Sequence, residues 1–235
     1  MRGREFKDFG FQEIAAVAQA FSSPKRLEII EILAQGERSV ETLAREVSMT
    51  IANTSRHLQI LKNAGIVRSH KQGVSVIYLL AGREVFLVWK ALQSLAEKRR
   101  AEIKEVARSF FAERGGIEPI SLQELRRRVK NNQVILLDVR PVEEYANVHL
   151  PGAVSMPLAE LKHGMGKLPK NREIVAYCRG PYCVLAAEAV AILKKAGYRA
   201  VRLEEGVNEW KQAGLPVEAG NGRPVERKKK ARTLG

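Results

Sequence analysis

The chain of 235 residues contains two cysteines, Cys178 and Cys183, and both fall in the stretch "AYCRGPYCVLAAEAVAILKKAGY". Two thiols at the ends of one short loop, with Arg, Gly and Pro between them where a core would hold apolar side chains, point to nucleophilic or redox chemistry. An inert cysteine buried at a strand end is the plain alternative, and the loop composition argues against it. The run "EIVAYC" reads as a buried strand and "VLAAEAVAILKKAG" as an amphipathic helix, so the loop joins a strand end to a helix start. Backbone N–H groups and the positive end of that helix, with the charge of Arg179 beside them, predict a lowered pKa and a thiolate at Cys178.

The surrounding segments continue the same alternation. A helix-like "SLQELRRRVKN" precedes the apolar run "VILLDVR", and the strand-like "AVRLEEG" follows the cysteine helix. Strands alternating with amphipathic helices indicate an α/β domain with a mostly parallel sheet, in which ligands gather at the carboxyl ends of strands. Over about residues 118–218 this half resembles the rhodanese domain: "LLDVRPVEEYANVHLPGAVSMP" is similar to that family's opening motif, "YCRGPYC" to its active-site loop and "LEEGVNEWKQAGLPV" to its closing segment.

The resemblance implies a persulfide on Cys178, formed by attack on a sulfane-sulfur donor such as thiosulfate or a polysulfide and passed on to an acceptor thiol. It also implies that Asp138 and Arg140, which match the opening motif with His149, brace the loop from below. Glu205 stands where the family commonly has Gly, and Val148 precedes His149 where Gly is frequent. The loop has six residues, where related phosphatase and arsenate-reductase loops use seven, which favours sulfur over phosphate chemistry. Cys183 occupies a position that the family usually gives to a hydrogen-bonding or basic side chain, and is expected to resolve the persulfide.

The first half carries a different signal. The formal net charge is +14, and from Val47 to Arg83 there is no Asp or Glu, while Arg56, Lys62, Arg68, Lys71 and Arg83 are present. Such a surface fits a polyanion. Phe11, Ile14, Ala15, Ala18 and Phe21 recur at helical spacing; Ser23 and Pro24 then start a second helix with Leu27, Ile30 and Leu33 as its buried face. "SVETLAREV" and "IANTSRHLQILKNAG" follow as two short helices, the latter capped by Thr50, buried through Ile51, Leu58 and Leu61, and stopped by Gly65. A hairpin around "KQG" comes next. This is the order of a winged helix-turn-helix, which would bring Thr50, Asn53, Thr54, Ser55, Arg56, His57 and Lys62 of the recognition helix, with Arg68 and Lys71 of the wing, to DNA.

"TSRHLQILKNAGIV" followed by "YLL" resembles the ArsR-type bacterial repressors over about residues 10–112. The resemblance implies a homodimer bound to a double-stranded DNA operator, with recognition helices about 34 Å apart. The segment "EVFLVWKALQSLAEKRRAEIKEVARSFF" reads as one long helix with Val85, Val88, Leu92, Leu95, Ile103, Val106 and Phe110 striping one face, which suits a dimer contact or equally an intramolecular core. Many ArsR-type proteins sense metals through cysteines before the recognition helix or His and carboxylate clusters on the last helix. "RSVETLA" has no thiol and the long helix no histidine, so no metal site and no cofactor are expected.

Two domains are therefore expected: a mainly α winged helix-turn-helix over 1–112 and a rhodanese-like α/β domain over 119–220, joined by a linker at 113–118 and followed by a basic tail at 221–235. No apolar run approaches the roughly 20 residues of a membrane span, and the N-terminus lacks the pattern of a secretion signal. A cytoplasmic location with reduced thiols is expected. The function this predicts is a repressor that senses small sulfur-donor molecules through Cys178 and Cys183. A sulfurtransferase enzyme is the alternative, and a repressor responding to arsenic or another thiophilic ion the weaker one.

Overall fold

The computed structural model describes residues 3–112, 119–131, 133–220 and 223–224, so the expected linker and most of the expected tail lie outside the described residues. The chain divides into two compact units at Lys104 and Glu105, ahead of the boundary expected at 112.

The first unit runs α1 (Gly3–Ala20), α2 (Pro24–Leu33), β1 (Arg38–Ser39), α3 (Val40–Glu46), α4 (Ile51–Asn63), β2 (Val67–Gln72), β3 (Ser75–Leu80) and α5 (Arg83–Arg99). The strands form an antiparallel sheet in the order β1-β3-β2. Ile29, Ile30, Leu33, Leu43, Leu58, Leu61 and Val67 make its core. Local signals act as predicted at most ends: Pro24 opens α2, Thr50 Oγ1 accepts the Asn53 N–H at 3.2 Å to cap α4, and Gly65 ends α4 in the left-handed region. The turn between α3 and α4 holds Ser48 at φ 53°, and Lys25 Nζ pins it by donating to the Val47 carbonyl at 2.6 Å.

The structure departs from the sequence reading at Ile51 and at Arg100. Ile51 is 52% exposed, because the inward face of α4 is set by Thr54, Leu58 and Leu61 and the first turn lies ahead of it. The apolar residues Phe11 and Ile14 of α1 are exposed, while Ala20 and Phe21 enter the core. The expected single long helix is broken at Arg100 into α5 and α6 (Ala101–Ala112), and Val85 packs into the unit's own core.

The second unit continues through β4 (Pro119–Ile120), α7 (Leu122–Lys130), β5 (Val134–Asp138), α8 (Val142–Asn147), β6 (Val154–Ser155) and α9 (Leu158–Gly164) with a 3-10 turn at Met165–Lys167. It then adds β7 (Glu173–Tyr177), α10 (Leu185–Lys195), β8 (Ala200–Leu203), α11 (Val207–Gln212) and a short β9–β10 ribbon (Glu218–Ala219, Arg223–Pro224). Five parallel strands lie in the order β4-β8-β7-β5-β6, as the alternating pattern predicts. Successive residues of β7 serve opposite faces. Ile174, Ala176 and then Cys178 join the cluster under α9 and α10, while Val175 and Tyr177 join the cluster of Leu125, Val207 and Trp210.

Candidate functional site

Cys178 follows the last residue of β7 and is 2% exposed, while Cys183, just ahead of α10, is half-buried. Both are free thiols. The Cys178 thiol lies 3.4 Å from the Cys183 carbonyl oxygen and 3.9 Å from that of Gly180. Two glycines let the loop fold this tightly. Gly180 has φ 153°, where a side chain is strained, and a Cβ on Gly206 would sit 2.4 Å from the Arg179 carbonyl oxygen. Glu209 Oε2 accepts the Gly206 N–H at 2.9 Å and holds the start of α11 against the loop.

The charge distribution reverses the sequence expectation. Burial pushes the Cys178 thiol well above its ordinary pKa, the contact with Cys183 adds to that, and the backbone amides of Ala186 and Gly180 oppose it. The Cys183 thiol is lowered by the neighbouring Cys178 thiol, against its own burial, with help from the amides of Arg179 and Leu185. Arg179 does not neutralise Cys178: its Nη2 and Nε donate to Glu144 Oε1 at 2.6 and 3.1 Å.

Glu144 belongs to a buried ionic chain below the loop. Arg140 Nη2 donates to Asp138 Oδ2 at 2.6 Å and to the Val148 carbonyl at 2.8 Å, and Arg140 Nη1 lies 3.8 Å from Glu144 Oε2. Asp138, Arg140 and Glu144 have fully buried side chains. The chain Asp138–Arg140–Glu144–Arg179 thus ties the end of β5 and α8 to the cysteine loop. His149 is buried, its ring stacked 3.7 Å from that of Tyr145 and its Nδ1 at 2.7 Å from the Tyr145 carbonyl. Glu205 accepts the Leu122 N–H at 3.0 Å, a link to the start of α7. A separate cleft lined by Val134, Met156, Ala159, His163 and Pro169 lies at the amino end of β5 and holds neither cysteine.

On the first unit, Asn53, Ser55, Arg56 and Lys62 project from α4 into solvent, and Arg68 and Lys71 from β2. Lys62 Nζ donates to Ser69 Oγ at 2.8 Å, tying the helix to the wing. Two residues expected at the DNA surface turn inward. Thr54 is fully buried with its hydroxyl donating to the Thr50 carbonyl at 2.9 Å. His57 is half-buried, its Nδ1 lacks a hydrogen-bond partner among the described residues, and burial, then Arg26 and Arg56, lower its pKa. Thr50 is exposed and serves as the helix cap.

The family description "Bacterial regulatory protein, arsR family" matches residues 23–69 and "Rhodanese-like domain" matches 121–213. The chain is 40% identical over 208 residues to the HTH-type transcriptional regulator Rv0324 of Mycobacterium tuberculosis, covering 88% of this chain and 91% of that one. It belongs to the ArsR family of transcriptional regulators. The regulator's second half is also 32% identical to a sulfurtransferase of Allochromatium vinosum over 108 residues, 45% of this chain and 99% of that one. Among solved structures, the homodimeric winged helix-turn-helix DNA-binding domain of Mb0332 from Mycobacterium bovis is 32% identical, covering 43% of this chain and 91% of its own, with a TM-score of 0.40.

Two residues that hold the cysteine loop of this regulator carry little sequence signal. Glu144, in "VEEY", is one of two adjacent carboxylates in the motif, and Gly206 meets the Arg179 backbone only in the fold.

Proposed function

We propose that this DNA-binding regulator senses reactive sulfur through Cys178 and Cys183. The observation that carries the reading is the pair itself: the chain's two cysteines bracket one six-residue loop at the carboxyl end of β7, with the Cys178 thiol 3.4 Å from the Cys183 carbonyl oxygen. A thiolate of the pair attacks the sulfane sulfur of a persulfide donor R–S–SH. The donor's S–S bond breaks, R–SH leaves with the donor's proton, and a protein S–S⁻ group remains. The neighbouring thiol attacks the sulfur bound to carbon, its proton passes to the outer sulfur, and that sulfur leaves as HS⁻, closing a Cys178–Cys183 disulfide. Two persulfides condensing with loss of H₂S would instead close a trisulfide.

DNA contacts are assigned to Asn53, Ser55, Arg56 and Lys62 on α4 and to Arg68 and Lys71 on the wing, the exposed part of the predicted set. Homodimerisation is assigned to the first unit, where Phe6, Phe9, Phe11 and Ile14 of α1 and Val88, Leu92 and Leu95 of α5 are exposed. Phe9→Lys with Ile14→Lys should then convert dimer to monomer in sedimentation.

The deciding experiment treats the full chain, Cys178→Ser and Cys183→Ser with polysulfide and follows intact mass beside operator binding. The wild type should gain sulfur or close a bridge with a change in DNA affinity. Cys178→Ser should bind DNA normally and ignore the donor, and Cys183→Ser should hold an open persulfide. A wild type that is sulfurated with unchanged DNA affinity would overturn the sensor. Likeness to the Allochromatium vinosum sulfurtransferase favours a second reading, sulfur transfer as an enzyme. Rapid multiple turnover with thiosulfate and cyanide would support that one.

A further inference from the structure

Arg202, on β8, is buried at 4% exposure, and its Nε and Nη1 have no hydrogen-bond partner among the described residues. Parallel pairing sets Arg202 beside Ala176 of β7. Neighbouring residues in register share a sheet face, and Cys178, two positions beyond Ala176, continues it. Strand spacing and a two-residue rise put the Cα atoms of Arg202 and Cys178 about 8 Å apart on that face, a gap within reach of an arginine side chain. Phe111 of α6, itself buried, covers the guanidinium, with its ring centroid 3.9 Å from the guanidinium carbon.

An isolated buried cation is costly, and a ring face replaces only part of its lost hydration. Burial lowers the pKa of Arg202, while the charges of Cys178, Glu204, Cys183 and Glu205 act to raise it. Glu204 is exposed, and Glu205 turns to the Leu122 N–H. Cys178, two positions beyond Ala176, is the acidic group that shares its buried face.

We propose that Arg202 is the anion-binding group of the cysteine pocket, pairing with the thiolate in the resting protein and with the perthiolate after sulfur transfer, with Phe111 excluding water from the pair. The perthiolate half rests on the sulfur-sensing reading above. In the transfer the charge is conserved: Cys–S⁻ and R–S–SH become Cys–S–S⁻ and R–SH. Arg202 therefore faces one negative charge before and after, displaced outward by one sulfur.

The test is the pH dependence of iodoacetamide alkylation, mapped by peptide mass, in full-length wild type, Arg202→Met, Arg202→Lys and Phe111→Ser. A unit charge within about 8 Å in an effective dielectric of about 20 moves a titration by about 1.5 pH units or more, a factor of about 30 in thiolate below the midpoint. Arg202→Met should raise the midpoint of the Cys178 thiol by at least that amount, Arg202→Lys should restore most of it, and Phe111→Ser, which keeps the charge and admits water, should raise it part of the way. Folded Arg202→Met with the wild-type midpoint overturns the proposal. Should that variant not fold, an unchanged midpoint in Phe111→Ser overturns it instead. After polysulfide treatment the persulfide of Arg202→Met should decay about tenfold faster than that of wild type, and equal lifetimes would count against the pairing. A wild type that takes up no sulfur refutes the sulfur-sensing reading and the perthiolate half with it, whereas the alkylation midpoints judge Arg202 without any donor.

Discussion

Replacing Glu144 by Gln keeps the shape of the side chain and removes its charge from a site where no solvent reaches it. In the native cluster two carboxylates, Asp138 and Glu144, face two guanidinium groups, Arg140 and Arg179. The variant leaves two cations on one carboxylate. It also turns an amide NH₂ toward a guanidinium that had donated to both carboxylate oxygens, at 2.6 Å to Oε1 and 3.3 Å to Oε2. Breaking a buried ion pair from one side costs about 3–5 kcal/mol. Arg179 has a side chain 13% exposed and gains some water by swinging outward, so about 3 kcal/mol is expected, roughly a 12 °C fall in the Tm of the second unit. Trp210 reports on that unit, buried in its core with Nε1 donating to the Pro216 carbonyl, and a Trp89→Phe background removes the chain's other tryptophan. Urea unfolding followed by Trp210 fluorescence gives the cost directly. In a double-mutant cycle with Arg179→Met, the coupling should reach about 2 kcal/mol. A loss under about 1 kcal/mol, or single losses that add within about 0.5 kcal/mol, would show that the cluster does not hold the loop by charge pairing.

Gly206→Ala places a methyl carbon 2.4 Å from the Arg179 carbonyl oxygen, and backbone cannot yield as a side-chain tip would. Cys178 and Cys183 of that variant should alkylate at least tenfold faster than in wild type in native buffer as the loop lifts; unchanged rates would mean that the loop tolerates the methyl group. With less iodoacetamide than protein at neutral pH, Cys183 should be labelled before Cys178, because its thiol is the less buried of the two and the one whose pKa is lowered; predominant label on Cys178 would reverse that order. Raising the pH should narrow the preference, since the buried Cys178 thiol ionises only above its ordinary range. Arg56→Ala and Lys62→Ala should each reduce the log–log salt slope of DNA binding by about one unit. A wild-type slope in both would take α4 off the phosphates.

What the sequence made legible follows from periodicity and local chemistry. The strand "EIVAY" is a short continuous apolar run and the helix after Cys183 has a helical apolar pattern, together enough to place the loop of both thiols between a strand end and a helix start. Thr50 and Gly65 act over one turn, so their roles at the ends of α4 were readable. Glu144 and Arg179 meet across 35 positions, and nothing local to either says that they pair. Periodicity also says that a face is apolar without saying what covers it: Phe11 and Ile14 recur at core spacing on α1 and are exposed within their own unit. Thr54 was assigned to DNA by residue type, but its phase with Leu58 and Leu61 decides its direction. The break at Arg100 carries neither Gly nor Pro, the usual signals for ending a helix.

The thiolate shows how a sum of correct local effects can give the wrong sign. A helix start, loop amides and a neighbouring arginine each lower a thiol's pKa, and the sequence supplied all three at Cys178. It could not supply burial, which acts against the charged form and outweighs two backbone hydrogen bonds at a sulfur that is 2% exposed. Nor could it show that the arginine is committed to Glu144. The same amide cradle favours the partner sulfur, where the amides of Arg179 and Leu185 converge and the Cys178 thiol adds to their effect. For the proposed chemistry this makes the pair the reacting unit. A donor that reaches Cys178 meets a nucleophile only in the ionised fraction of a thiol whose pKa burial and the neighbouring Cys183 both raise, so sulfur uptake by a Cys183→Ser protein should climb as the pH rises. A rate in that variant independent of pH from neutral upward would mean that burial does not hold the Cys178 proton.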